Sequence, residues 1–345
     1  MPEEPRGISS VGRAPALQAG GRWFDPSILH HCECSSAGRT FACQAKGREF
    51  EPLHSLQTYY ELTMILIDLS QIMMASTMMS MEKGQTEADV DYIRHSVLNS
   101  LRMYRSKYTD EYGELVICCD SPHSWRKDHF PYYKAGRKTT RESSPLNWTQ
   151  IFDCFNTIKT ELKTIFPYKF IQVEGAEADD VIGVLSRTES SNEKVMIISS
   201  DKDFIQLQKY DNVHQWSPVT KKLVNGIEPN GYLFEHILRG DKSDGIPNVL
   251  SRDNSIVDGV RQKPITKKYV ENFVMHNAEL SGRTDEEIRN FHRNQKLIDL
   301  AETPSNICDN IWEEYRKEPV GQRRDLLNFF VEKKLNNLIE TIGEF

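Results

Sequence analysis

The sequence predicts an α/β fold: a parallel central sheet with helices on both faces, followed by a C-terminal α-helical extension. Three observations carry this reading. Short, continuously apolar runs alternate with amphipathic helical stretches, the pattern of strands buried on both faces. Three of those runs end in an aspartate, at Asp68, Asp120 and Asp201. Beyond about residue 230 the periodicity is mainly helical.

Met64–Leu69 reads as the first strand. From Glu87 to Tyr104, residues Val90, Ile93, Val97, Leu101 and Tyr104 fall at helical spacing. Leu115–Asp120 is the second strand, and Thr149–Phe166 is a helix with Phe152, Phe155, Ile158, Leu162 and Ile165 on one stripe. Tyr168–Val173 is the third strand, Ala176–Leu185 a helix, and Lys194–Asp201 the fourth strand. A catalytic α/β domain is therefore expected over 64–225 and a helical region over 226–345.

The 345 residues are 38% hydrophobic and 27% charged, which suits a globular protein and excludes a mostly disordered or collagen-like chain. No apolar run is long enough to span a bilayer, Met1–Arg6 lacks the signature of a secretory signal, and the cysteine usage reads as that of a cytoplasmic protein. The net charge of −7 repels phosphate, so nucleic-acid binding requires a local basic patch. Of the seven cysteines, Cys118 and Cys119 sit in an apolar run and read as small buried hydrophobes. Cys32, Cys34 and Cys43 with His30 and His31 lack a second pair at zinc-ligand spacing.

Residues 1–63 are of a different character, rich in Gly, Arg, Pro and Ser and without periodicity. Gly12-Arg13, Ala16, Gln18-Ala19, Gly21-Arg22, Phe24 and Pro26 recur 26 positions on as Gly38-Arg39, Ala42, Gln44-Ala45, Gly47-Arg48, Phe50 and Pro52. Such stretches resemble translated transfer-RNA genes. The expectation is a misread gene start, with Met64 as the true first residue; the alternative is a disordered N-terminal extension.

In an open parallel sheet the carboxyl ends of the strands form the binding crevice. Asp68, Asp120 and Asp201 fall there; Glu177-Ala178-Asp179-Asp180 opens a helix close by, and Asp203 follows Asp201. Singly, each acid is a plain helix cap. Together, so many carboxylates repel one another unless cations neutralise them. Hard oxygen ligands select Mg²⁺, with Mn²⁺ as a substitute, over zinc. Two such ions activate a water and stabilise the leaving oxygen of a phosphodiester. Spacing alone leaves open which of Glu177, Asp179 and Asp180 faces the metal.

Ile67-Asp68-Leu69-Ser70, Cys119-Asp120, Glu177-Ala178-Asp179-Asp180, Ser200-Asp201-Lys202-Asp203 and Gly240-Asp241-Lys242-Ser243-Asp244 together resemble the 5′-nuclease (flap endonuclease) family. The resemblance covers essentially all of 64–345. It implies a PIN-like sheet and a 5′→3′ exonuclease with ribonuclease H and flap endonuclease activity. The expected role is removal of RNA primers and adjacent DNA from lagging-strand fragments. It implies catalytic roles for Asp68, Asp120, Asp179, Asp201 and Asp203. It implies two Mg²⁺ ions among Asp68, Asp120, Glu177, Asp179, Asp180, Asp201, Asp203, Asp241 and Asp244. RNA–DNA hybrids, duplex DNA and 5′-flap DNA are the implied substrates. A single-strand-binding protein and a sliding clamp are the implied partners of a monomer.

The most concentrated basic stretch holds Arg126, Lys127, Lys134, Arg137, Lys138 and Arg141, interleaved with Trp125, Phe130, Tyr132 and Tyr133. Bases stack on aromatics while cations follow phosphates; a solvated loop is the plainer reading. In the family this region, about 122–147, forms an arch over the active site. Tyr133-Lys134-Ala135-Gly136-Arg137 resembles its Tyr-Lys-x-x-Arg element, which makes Lys134 and Arg137 candidates for steering the phosphate. The stretch from Gly240 resembles the start of a helix-hairpin-helix-type, duplex-gripping element, with Lys242 beside the acids. Gly245 departs from the family's usual Asn.

A non-catalytic nucleic-acid-binding protein of the same fold is the alternative, and a degraded acid set would favour it; every motif acid is present. A phosphatase with an aspartate nucleophile would want Asp-x-Asp at the first strand, where this chain has Asp68-Leu69-Ser70. The ten histidines form no ligand-spaced cluster, and no glycine-rich nucleotide loop occurs.

Overall fold

A computed structural model describes residues 63–81, 86–187, 193–275 and 283–345. The expectations for 1–62, the cysteine–histidine group included, lie outside the described residues. The rest belongs to one unit, Tyr60–Phe345.

Four parallel strands are where the apolar runs place them: β1 (Met64–Asp68), β2 (Glu114–Cys118), β3 (Lys169–Ile171) and β4 (Val195–Ile198). Two more, β5 (Val213–Ser217) and β6 (Lys222–Leu223), extend one edge and were not foreseen. The sheet order is β3-β2-β1-β4-β5-β6, and only the β5–β6 pair is antiparallel. The central strand β1 is buried throughout. Its Ile65 and Ile67 join one core and its Met64 and Leu66 the other, which is why the run is continuously apolar.

The first core is covered by α1 (Leu69–Ser80), α2 (Val90–Tyr112) and α5 (Trp148–Ile165). The second is covered by α6 (Ala178–Leu185) and the C-terminal α10 (Ser305–Arg316). Cys118 and Cys119 point into opposite cores, fully buried, as small hydrophobes. Between β2 and α5 the chain forms α3 (Trp125–His129) and α4 (Gly136–Glu142), the region expected to arch over the site.

In the C-terminal region α7 (Pro229–Arg239), α8 (Lys267–Met275) and α9 (Asp285–Ile298) enclose a third core with Phe130 and Tyr133. Residues 240–266, between α7 and α8, form turns and one isolated bridge, Asp241 to Ile246, without a helix. The chain after Gly240 is thus a long loop between two helices, in keeping with a sequence over 248–264 that is no clean glycine hairpin. The last helices, α11 (Leu326–Glu332) and α12 (Asn336–Ile339), return to the first core, where Phe329, Phe330 and Phe345 surround Phe166. Among the described residues no helix is long and apolar enough to cross a membrane.

Candidate metal centre and its basic neighbours

The parallel strands share one direction, so their carboxyl ends lie on one edge of the sheet, and the acids gather there. Asp68 ends β1 and caps α1: Gln71 N donates to Oδ1 at 3.1 Å and Ser199 Oγ donates to Oδ2 at 3.0 Å. The cap and the candidate ligand are thus the same side chain. Asp120, two residues past β2, accepts from Ser70 Oγ at 2.6 Å and from Ala178 N at 2.8 Å, tying α1, β2 and α6 together. Asp201 caps a 3₁₀ segment, Lys202–Lys209, and accepts from Asp203 N at 3.0 Å. Asp241 Oδ1 accepts from Ser243 N and Ser243 Oγ, both at 2.7 Å. A void of about 10 Å³ is lined by Asp179 of α6, Asp203 of the 3₁₀ segment and Asp241 and Asp244 of the loop after α7. The strand-end acids join that group through their charges: Asp68 feels Asp120 and Asp201, Asp179 feels Asp68 and Asp201, and Asp203 feels Asp201.

The charges there are out of balance. Burial, reinforced by Asp120 and Asp201, pushes the Asp68 carboxyl up to about 7. Burial does the same to Asp203, also about 7, with Asp201, Asp241 and Asp244 adding to it against the pull of His236. Burial raises Asp179 well above the carboxylate range; Lys134 pulls against it, and Glu177, Asp201 and Asp68 add to it. Three carboxyls reluctant to ionise, among donors that are nearly all oxygen, are what a hard divalent cation relieves. The residues present therefore fit a metal of that kind.

Two expectations need correction. Asp180 is not available to a metal. It is fully buried, and its oxygens accept from Arg126 Nη1 at 2.9 Å, Trp125 Nε1 at 3.2 Å, Thr303 Oγ1 at 3.0 Å and Glu177 N at 2.9 Å. Burial opposes its charge, yet Arg126 holds it below the ordinary carboxylate value. Arg126 and Tyr133, expected to touch nucleic acid, are likewise interior. Arg126 is 2% exposed and also donates to Leu297 O at 2.9 Å, and Tyr133 OH lies 2.7 Å from Glu177 Oε2 and 3.0 Å from Asp244 Oδ2. The sequence shows a basic and an aromatic residue in a basic stretch; the partners that bury them come from distant segments.

The other arch cations sit where a phosphate could reach them. An open cleft of about 250 Å³ is lined by Lys127, Lys134, Arg137, Lys138 and Arg141 together with Asp120 and Glu177. Lys127, Lys138 and Arg141 are exposed. Lys134 Nζ donates to Glu177 Oε1 at 2.7 Å, and Arg137 Nη2 donates to Asp244 Oδ1 at 2.6 Å. Lys242 is exposed beside Asp241, and it is not among the residues lining the cleft. Gly245, the departure from the family's usual Asn, has φ +75°, and a Cβ there would meet Tyr132 O at 2.7 Å. The arch runs against this loop, with Lys134 N donating to Asp244 O at 2.7 Å.

His236 was not singled out in the sequence, where the ten histidines form no ligand-spaced cluster. From the last turn of α7 it stands between Asp203 and Asp241. Only the fold brings Asp203 to it. The supporting side chains Ser199 and Gln215 were missed as well; buried Gln215 donates to Ser199 O at 3.0 Å and Asp201 O at 2.6 Å.

The chain belongs to the 5′–3′ exonuclease family of hydrolases. Residues 63–232 match the model of the 5′–3′ exonuclease N-terminal resolvase-like domain, and residues 230–345 match that of the T4 RNase H C-terminal domain. It is similar to ribonuclease H of Enterobacteria phage T4, 33% identical over 296 residues, covering 83% of this chain and 97% of that protein. It also resembles flap endonuclease Xni of Shewanella sp. (strain MR-4), 31% identical over 135 residues, which are 36% of this chain and 48% of that one. Among solved structures, the T5 D15 protein co-crystallised with metal ions shares the fold, with a TM-score of 0.52, 17% identity, and coverage of 73% of this chain and 98% of that one. The family is one of metal-dependent nucleases.

Proposed function

We propose that this chain is a Mg²⁺-dependent 5′→3′ exonuclease with ribonuclease H and flap endonuclease activity. Its role is to remove RNA primers and adjacent DNA from lagging-strand fragments during replication. The observation that carries this is the gathering of acids from three strand ends, a helix start and the loop after α7 into one interacting group, two of whose members, Asp120 and Glu177, also line a cleft with the arch cations. The relatedness to ribonuclease H of phage T4 along nearly its whole length supports the same reading.

Asp68, Asp120, Glu177 and Asp179 would hold one Mg²⁺ and Asp201, Asp203, Asp241 and Asp244 a second, with Mn²⁺ as a substitute. Bound there, the ions supply Lewis-acid activation of a water and stabilisation of the leaving oxygen. The protein's own contribution is positional. Ser70, Ser199 and the Ala178 amide hold Asp120 and Asp68 in fixed orientations. Lys134 and Arg137, paired with Glu177 and Asp244, are poised to pass to a phosphate when the acids take up metal. Lys127, Lys138 and Arg141 follow the backbone, giving affinity that reads structure rather than sequence. Lys242 contacts the duplex beyond the acids. RNA–DNA hybrid, duplex DNA and 5′-flap DNA are the substrates. A single-strand-binding protein and a sliding clamp are the expected partners of a monomer in the cytoplasm of the host cell.

Cleavage of a 5′-flap duplex and of an RNA–DNA hybrid, with Mg²⁺ and with chelator, tests the proposal. Cleavage is expected only with metal, and Asp201→Asn is expected to abolish it while leaving substrate binding largely intact. Cleavage in chelator, no cleavage of either substrate, or full activity in that variant would count against it.

A further inference from the structure

We infer that His236 is a metal-ligating side chain of the outer acid group and biases that centre toward borderline transition-metal dications of the Mn²⁺ class. The inference rests on the metal-dependent reading above. One ligand atom each from His236, Asp203 and Asp241 lie within 4.8 Å of one another. His236 Nδ1 is 3.4 Å from Asp203 Oδ1, and its Nε2 is 3.6 Å from Asp241 Oδ2. These separations exceed those of good hydrogen bonds. An ion takes only one of the two ring nitrogens. At metal–ligand distances of about 2.1 Å its donors stand between about 3.0 and 4.2 Å apart, and the set of one nitrogen and two carboxylate oxygens that lies within 4.8 Å closes to that span with a small side-chain adjustment.

The surroundings fix the three groups in that relation. α7 packs along the 3₁₀ segment that carries Asp203, and Tyr232, one turn back on α7, has its ring centre 5.9 Å from that of His236. Ser243 occupies Asp241 Oδ1, so the Oδ2 atom is the one turned to the imidazole. An all-oxygen site suits Mg²⁺, whereas an imidazole nitrogen strengthens binding of later first-row dications. A chain whose second metal position carries one nitrogen therefore discriminates Mn²⁺ from Mg²⁺ more strongly than an all-carboxylate site does.

The alternative role for His236 is that of a counter-charge to Asp203 and Asp241, and a lysine would serve that role as well. The test uses the full chain with Mn²⁺ and Mg²⁺ as probes. Mn²⁺ binding is followed by electron paramagnetic resonance, pulsed measurements read ¹⁴N coupling to bound Mn²⁺, and calorimetry gives the two affinities. The wild type is expected to bind Mn²⁺ with ¹⁴N coupling. His236→Gln and His236→Lys are both expected to lose that coupling and to lower the Mn²⁺-over-Mg²⁺ preference about tenfold. Bound Mn²⁺ without ¹⁴N coupling in the wild type, coupling that persists in both variants, or a wild-type preference in His236→Lys overturns the assignment. If the wild type binds no Mn²⁺, the metal centre itself is overturned and the role of His236 with it. The coupling is measured on the wild type, so it decides even if a variant folds poorly.

Discussion

Arg126 is buried against Asp180, and through Asp180 it fixes the start of α6, where Glu177 and Asp179 face the acid group. A buried ion pair adds little net stability, but removing one partner leaves the other charge stranded. Arg126→Met is therefore expected to destabilise the protein by about 3–5 kcal/mol in urea unfolding, with part of the loss recovered by adding Asp180→Leu. If Arg126 instead held substrate phosphate, the single variant would keep its stability and show a shallower salt dependence of binding. The burial of Arg126 was not legible in the sequence, because the partner that explains it lies 54 positions away. Asp68 was legible, since a strand-end aspartate must either cap or ligate and here its geometry permits both.

The arch and the loop after α7 meet through backbone and side chain, Arg137 of α4 included, and Lys138 and Arg141 of the same helix lie outside that contact. Lys138→Ala and Arg141→Ala are each expected to reduce the slope of log affinity against log salt by about 1, without altering the melting temperature. A melting temperature that falls, with the slope unchanged, would make them structural residues. Gly245→Ala is expected to destabilise the loop, because φ there is +75° and the added carbon meets Tyr132 O. Strands β1, β2 and β4 were legible because each is an apolar run with an acid close after it. β5 was not: Val213-His214-Gln215-Trp216-Ser217 buries Gln215 and Ser217, whose polar atoms are satisfied by the loop carrying Asp201 and by Ser200. α1 was hidden by a run of methionines and serines in Leu69–Ser80 without charged residues to mark an outer face.

At the scale of the molecule, the metal-free protein carries its charge imbalance as a dependence of stability on pH. Asp68 and Asp203 have folded values near 7 against an ordinary 3.8, so between about 4 and 7 the native state holds more protons than the unfolded chain. Stability then falls as pH rises through that window. His236 acts in the same direction: burial opposes its charge, but Asp241 and Asp203 raise it above 6.5, so the stability it adds is lost as pH climbs past its folded value. Asp180 and Asp241 are depressed and lose their contribution only as pH falls below about 4, outside the window. In chelator, the melting temperature is therefore expected to be higher at pH 6 than at pH 8. Bound Mg²⁺ replaces those protons, so it should raise the melting temperature by several degrees at pH 8 and much less at pH 6. A chelated protein that grows more stable from pH 6 to pH 8, or a Mg²⁺ effect that is larger at pH 6, would show that these carboxyls are already neutralised by the protein's own cations.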